Sequence, residues 1–174
     1  MEKRKTYIQQ TSYNGSQYTK GEVVDIAEKY GCVVVEFPPL FPKEMDEIAS
    51  RKWAGEDGCD IYIPERPSVK EFDVDITFGF VSREASVVSQ ISSFIRFITG
   101  RNEGATGGRL TIYDTRRGMG RKDMYVKEID NDLDYHEDYD DDVAYSFKVK
   151  FAVCDPTTDI TPVTSDGIVT DLQF

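Results

Sequence analysis

The stretch VAYSFKVKFAVCDP, residues 143–156, decides the fold. Val143, Tyr145, Phe147, Val149, Phe151 and Val153 fall on one side of a period-two pattern, and Ala144, Ser146, Lys148, Lys150 and Ala152 on the other. That alternation predicts a long, half-buried β-strand. Asp155-Pro156 ends it, because proline has no N–H for a ladder and biases its predecessor toward extended or turn geometry. Outward toward the N-terminus, EFDVDITFGFV (71–81) repeats the pattern, with Phe72, Val74, Ile76, Phe78 and Phe80 inward and Asp73, Asp75 and Thr77 outward. Two such strands predict a sheet-built domain.

Between them lies the clearest helix, over Ser82 to Gly100. Val87, Val88, Ile91, Phe94, Ile95 and Ile98 recur at intervals of three and four, giving one apolar stripe to lay on a sheet. Ser82 is placed to cap its start, Glu84 suits the positive first turn, and Gly100 suits a left-handed stop. A glycine-rich loop, RNEGATGGR (101–109), leads to a strand at Leu110–Tyr113. Thr115 to Lys122, with Gly118 and Gly120, reads as a hairpin tip, and Met124 to Ile129 as the returning strand.

The first 18 residues are polar and turn-prone around Asn14-Gly15, and are expected to be a flexible arm. Thr19-Lys-Gly-Glu22 has capping-box spacing, and Val23, Ile26, Ala27 and Tyr30 follow at helical intervals before Gly31, so a short helix is expected there, with an extended segment as the competitor. Cys32 to Phe37 reads as a strand stopped by Pro38-Pro39. Pro42 to Trp53 fits either a helical turn or an irregular crossover. Gly55-Glu-Asp-Gly58 is turn chemistry, and Ile61-Tyr62-Ile63 is a short strand. The expected organisation is one β-rich domain over 19–156 and an extended tail over 157–174. The fold class is mainly β: an antiparallel β-sandwich or split barrel with one packed amphipathic helix over about 82–99.

The 174 residues carry a formal charge of -11. That balance disfavours a sequence-independent nucleic-acid binder and attachment to an anionic membrane. No apolar stretch approaches the roughly 20 residues of a membrane span, and MEKRKTYIQQTSYNGSQ has no apolar signal core, so a cytosolic origin is expected. Cys32, Cys59 and Cys154 form no CxxC pair and are expected to be buried free thiols.

Few residues invite chemistry. The acidic run from Asp130 to Asp142 begins like a calcium loop, but Tyr135 stands where glycine is needed at the sixth position and Asp141 where a bidentate glutamate is needed at the twelfth. A solvated loop is the expectation, and a metal- or ligand-binding β-domain using residues 130–142 is the alternative. His136, the single histidine, has no ligand or base partner at a telling spacing. The glycines after the helix enter a strand with no GK[ST] following, which offers phosphate no helix N-terminus and predicts a flexible loop. Tyr62, Tyr113, Tyr125 and Tyr145 sit at strand positions, where packing is expected over base stacking. Arg116, Arg117, Arg121 and Lys122 make a compact basic tip in an acidic chain. A solvated turn is the default reading of that tip and a nucleic-acid contact is conceivable; as a partner surface its complement is Glu137, Asp138, Asp140, Asp141 and Asp142, because opposite patches on one chain permit head-to-tail contact between copies.

The order of these elements resembles a known family. Arg51-Lys-Trp53-x-Gly55-Glu-Asp-Gly58, then Tyr62-Ile-Pro64, a long strand, an amphipathic helix, Leu110-Thr-Ile-Tyr113-Asp114, Tyr125-Val126 and the closing strand from Phe147 to Asp155-Pro156 are similar to the N-terminal domain of siphophage distal tail proteins. The resemblance covers roughly residues 30 to 156. It implies the fold of tail tube proteins, a β-sandwich or split barrel flanked by a helix. It also implies assembly as a hexameric ring, with other phage tail proteins as partners, around the channel through which DNA leaves the virion. No catalytic residues, cofactor or metal are expected on that basis. The chain departs from the family in running only from Pro156 to Phe174 where a second domain often follows, so tube ring and baseplate hub both stay open as its station. The expected function is a non-enzymatic structural subunit of a phage or prophage tail, made in the bacterial host cytoplasm and located in the virion tail.

Overall fold

The structure, a computed structural model, describes residues 4–130, 134–137 and 142–174. Its centre is the pair expected from the alternation: β6 (Phe72–Arg83) lies antiparallel to β10 (Asp142–Val153), with Phe78 opposite Phe147 and Val74 opposite Phe151. Their inward side chains are buried apart from the half-buried Tyr145, and Phe80 stacks on Phe147 with ring centres 5.9 Å apart. Stacked and edge-on aromatic pairs of this kind add to the burial of apolar area.

Around that pair the remaining strands are β1 (Thr6–Tyr13), β2 (Tyr18–Asp25), β3 (Cys32–Glu36), β7 (Arg109–Asp114) and β8 (Met119–Ile129). They form one antiparallel sheet in the order β2-β1-β7-β8-β10-β6-β3, and a short β9 (Asp134–Glu137) also pairs with β10. In a flat sheet seven strands wide the two edges would lie about 29 Å apart. Here the edge strands β2 and β3 are joined only by the five-residue helix α1 (Ile26–Tyr30) and Gly31, and such a helix spans about 7.5 Å. The edges must therefore come together at that end, and the sheet curls into a split barrel. The second helix, α2 (Glu84–Ile98), packs against β6 and β10, burying Val87, Phe94, Phe97 and Ile98.

The architecture matches the mainly β expectation, but several elements differ from their reading. Residues 6–13 are no arm: Thr6 to Thr11 are buried strand, and the Asn14-Gly15 turn joins β1 to β2. The side chains that made this stretch look solvated are bonded internally. The capping-box spacing at Thr19 belongs to a strand. The helix cap is Asp25, whose carboxylate accepts from the N–H groups of Ala27 and Glu28, and Gly31 takes the left-handed stop at φ 65°. Helix α2 starts after Arg83 with no side-chain cap in place of Ser82, and Val88 faces solvent while Phe97 joins the stripe. Gly100 stops it at φ 68°, as expected.

The glycine-rich loop after α2 is pinned rather than loose. Thr106 N–H donates to Gln10 Oε1 at 3.1 Å, and a Cβ on Gly107 would meet the Thr11 carbonyl at 2.6 Å, so the glycine permits the close approach. The tail after Pro156 is a hairpin, β11 (Thr161–Ser165) and β12 (Ile168–Gln173), folded back over β1 and β2. Of the thiols only Cys32 is buried, and that burial pushes its pKa up; Cys59 and Cys154 are exposed, because one sits on a projecting ribbon and the other follows the last rung of β10.

Candidate assembly surface

Between Phe37 and Glu71 the chain leaves the barrel and returns. Phe37 and Leu40 are fully buried at the root, and Lys43 Nζ donates to the Asp73 carbonyl at 2.9 Å. The two limbs then run antiparallel as a narrow ribbon. Lys70 N–H donates to Glu44 O, Asp46 N–H to Ser68 O and Tyr62 N–H to Ala49 O, and β4 (Ser50–Arg51) pairs with β5 (Asp60–Ile61) near the tip. This is the irregular crossover alternative for Pro42–Trp53, and of the strand expected at Ile61–Ile63 only Ile61 is kept, paired within Asp60–Ile61. At the tip the Trp53 indole N–H donates to Asp60 at 2.8 Å, and the Arg51 guanidinium lies 3.6 Å above the ring.

The side chains of this ribbon do not cover one another. Phe41, Ile61, Tyr62 and Ile63 are 55–73% exposed, and Met45, Ile48 and Trp53 are exposed as well. Val33 and Val35 on the sheet edge β3 and Val81 on β6 add exposed apolar surface on the barrel itself. An isolated two-stranded ribbon is marginal in water, and a contiguous exposed apolar patch marks an interaction surface. Tyr62 and Tyr125 are therefore not packed as expected, whereas Tyr113 and Tyr145 pack partly against the interior. The ribbon's apolar residues carried a signal in the sequence: hydrophobic side chains in a segment with no period to bury them.

The four basic residues of the expected tip are divided by the structure. The turn spans only 115–118, so Arg116 and Arg117 lie on it, exposed. Asp114 beneath is fully buried and fixes the turn, accepting from Arg4 Nε, the Thr6 hydroxyl and the Arg117 N–H, while Arg117 Nε donates to the Phe37 carbonyl at 3.0 Å. Arg121 and Lys122 belong to β8 and point into the fold. Arg121 is 4% exposed and bonds Gly120 O, Thr158 O and Asp159; Lys122 lies 3.5 Å from Asp155. The compact tip is thus a two-arginine turn, because β8 begins at Met119, ahead of the Met124 start that the sequence pattern indicated. On the acidic side, Glu137 ends β9 and Asp142 begins β10, whereas Asp138, Asp140 and Asp141 lie outside the described residues.

Strand register sets these two regions apart. Val153 pairs with Met124 and Val149 with Ile129, so the arginine turn continues beyond the Val153 end of β10 and the acidic segment sits at its Asp142 end. The twelve residues of β10 place them about 40 Å apart along the strand direction.

Among the described residues, no group of three His, Cys, Asp or Glu side chains is arranged to hold a metal. A groove of about 380 Å³ lies between β2, α1 and the β11–β12 turn. Its charged pair is Lys5 with Asp25 at 3.0 Å, and the hydrogen bond and charge of Asp25 raise the lysine pKa. No described helix is long and apolar enough to cross a membrane. Neither a family model nor a curated protein matches the chain.

Proposed function

We propose that the protein is a non-enzymatic structural subunit of a phage or prophage tail, assembling with copies of itself into a ring around the DNA channel. The observation that carries this reading is the ribbon from Phe37 to Glu71, whose exposed Phe41, Met45, Ile48, Ile61, Tyr62 and Ile63 offer apolar side chains to a neighbouring surface. The exposed valines of β3 and β6 offer such a surface on the next copy. A donor and an acceptor on one chain make a heterologous contact, which closes into a ring or continues as a stack.

Charge supports the same arrangement. The exposed arginine turn and the acidic segment lie at opposite ends of β10, so head-to-tail neighbours bring unlike charges together. A net charge of -11 suits a channel that must release DNA, since a basic lumen would hold the phosphates. The split barrel with its packed helix is the fold that the resemblance to distal tail and tail tube proteins implies.

The test is reconstitution of the purified chain with other tail components, read by electron microscopy and mass in solution. Closed rings or tubes containing the chain are expected. Ile61→Asp with Tyr62→Asp, which alters only exposed ribbon positions, is expected to leave the monomer folded and abolish incorporation. A wild-type chain that joins no ring or tube overturns the reading.

A further inference from the structure

The C-terminal hairpin is attached to the barrel by different physics from the rest of the sheet. Among the described residues, strands β11 and β12 pair with each other and with no other strand. Their apolar anchorage is a small cluster separate from the main core: Ile160 and Leu172 close over Tyr7, with Val23, Tyr113, Val169 and Phe174 packed partly against them. The remaining fastenings are polar. Lys20 Nζ lies 3.2 Å from Asp171 and donates to the Leu172 carbonyl at 2.8 Å, and Gln9 exchanges bonds with Asp171 and the Leu172 N–H. Arg121 holds Asp159 at 2.9 Å, Lys122 holds Asp155, and the Phe174 ring rests between the Lys20 and Lys122 ammonium groups at 4.2 and 4.7 Å.

Two buried polar atoms on the barrel side are left without partners. They are Arg121 Nε and the hydroxyl of Thr111, which sits directly opposite Gln9 on the face that the hairpin covers. Unpaired buried groups weaken an interface, and an element with few apolar contacts sits at the low end of the local stability range.

We propose that residues 155–174 form a latch that opens as a unit from an intact barrel, with the ion pairs of Lys20, Arg121 and Lys122 setting how often it opens. Opening uncovers an outer strip of Tyr7, Gln9, Thr111 and Val23 while leaving the core around Phe78 and Phe94 closed. The latch is independent of the assembly reading, since every contact it uses lies within one chain.

Hydrogen exchange read by mass spectrometry on the full chain tests it. Amides of 161–173 are expected to exchange at least about tenfold faster than those of β6 and β10, because they report local rather than global opening. Raising sodium chloride to about 1 M, where the screening length falls to roughly 3 Å, is expected to accelerate the hairpin about threefold or more with β6 and β10 unchanged. Lys122→Gln is expected to reproduce that acceleration at low salt. A hairpin that exchanges as slowly as β6 and β10, or one whose rate ignores salt in the wild-type chain, overturns the latch.

Discussion

Gln9 and Gln10 point in opposite directions from β1, and together they tie the barrel to its two attachments. Gln10 Nε2 donates to the Phe97 carbonyl at 2.6 Å and to Asn102 at 2.8 Å, holding the end of α2 and the loop beyond it, while Gln9 reaches outward to the C-terminal hairpin. Both are nearly inaccessible, so removing either amide strands a buried partner. Gln10→Ala is expected to cost about 1–3 kcal/mol, since the Thr106 N–H loses its acceptor; urea denaturation measures it. Phe94 is the apolar counterpart, fully buried with Phe78 at 4.9 Å and Phe80 at 5.7 Å between ring centres. Phe94→Ala is expected to cost about 3–5 kcal/mol by cavity formation. Val88→Ala, at a position 64% exposed, should stay within about 0.5 kcal/mol. Equal losses at the two helix positions would contradict the observed face.

At the scale of elements, what was legible follows from periodicity. Strands β6 and β10 and helix α2 bury one face each, so their side chains alternate or recur and declare themselves. Strand β1 is buried on both faces with Gln9, Gln10 and Thr11 inside, and internal hydrogen bonds make that polarity tolerable in a way no single-sequence pattern displays. The C-terminal hairpin was hidden for the same reason: its anchors are polar and charged groups that meet residues far along the chain, Gln9 and Lys20 on Asp171 and Arg121 on Asp159. The ribbon was half legible, its turn glycines plain and its apolar side chains unexplained without a partner. Trp53, the single tryptophan, lies at the ribbon tip and is 42% exposed, so its emission should shift to the blue on assembly and stay fixed if the ribbon remains in water. Acid should loosen the hairpin. Burial would raise the Asp155 and Asp171 carboxyls, but bonds from Thr158 and Thr157 to the first, and from Gln9 and Lys20 to the second, outweigh it and hold both below the ordinary 3.8. Depressed folded values contribute stability that is present above the unfolded pKa and lost as pH falls through the folded one. Leu172 methyl signals in NMR should therefore shift below about pH 4, before those of Ile76.

For the whole molecule, polarity along the strand direction is the organising feature. The turn bearing Arg116 and Arg117 projects at one end of β10 and the acidic segment begins at the other, which suits copies stacked or ringed head to tail. The division of the basic residues dictates how the contact must be tested. Reversing Arg121 or Lys122 would strip Asp159 or Asp155 of its partner and disturb the C-terminal segment, so any loss of assembly would report folding. Arg117→Glu also sacrifices the bond to the Phe37 carbonyl at the ribbon root. Arg116→Glu is the clean probe, because Arg116 lies exposed on the turn, and surface substitutions of this kind change stability by no more than about 0.5 kcal/mol. Its incorporation into reconstituted rings should fall at low salt, and the deficit should shrink at about 1 M salt, where exposed charges are screened. A second reversal that turns acidic residues Glu137 and Asp142 to lysine in the partner copy should restore incorporation with Arg116→Glu, because the unlike pair is then re-formed with its signs exchanged. Full incorporation of Arg116→Glu at low salt would eliminate the charge-paired contact and leave the apolar ribbon as the sole assembly determinant.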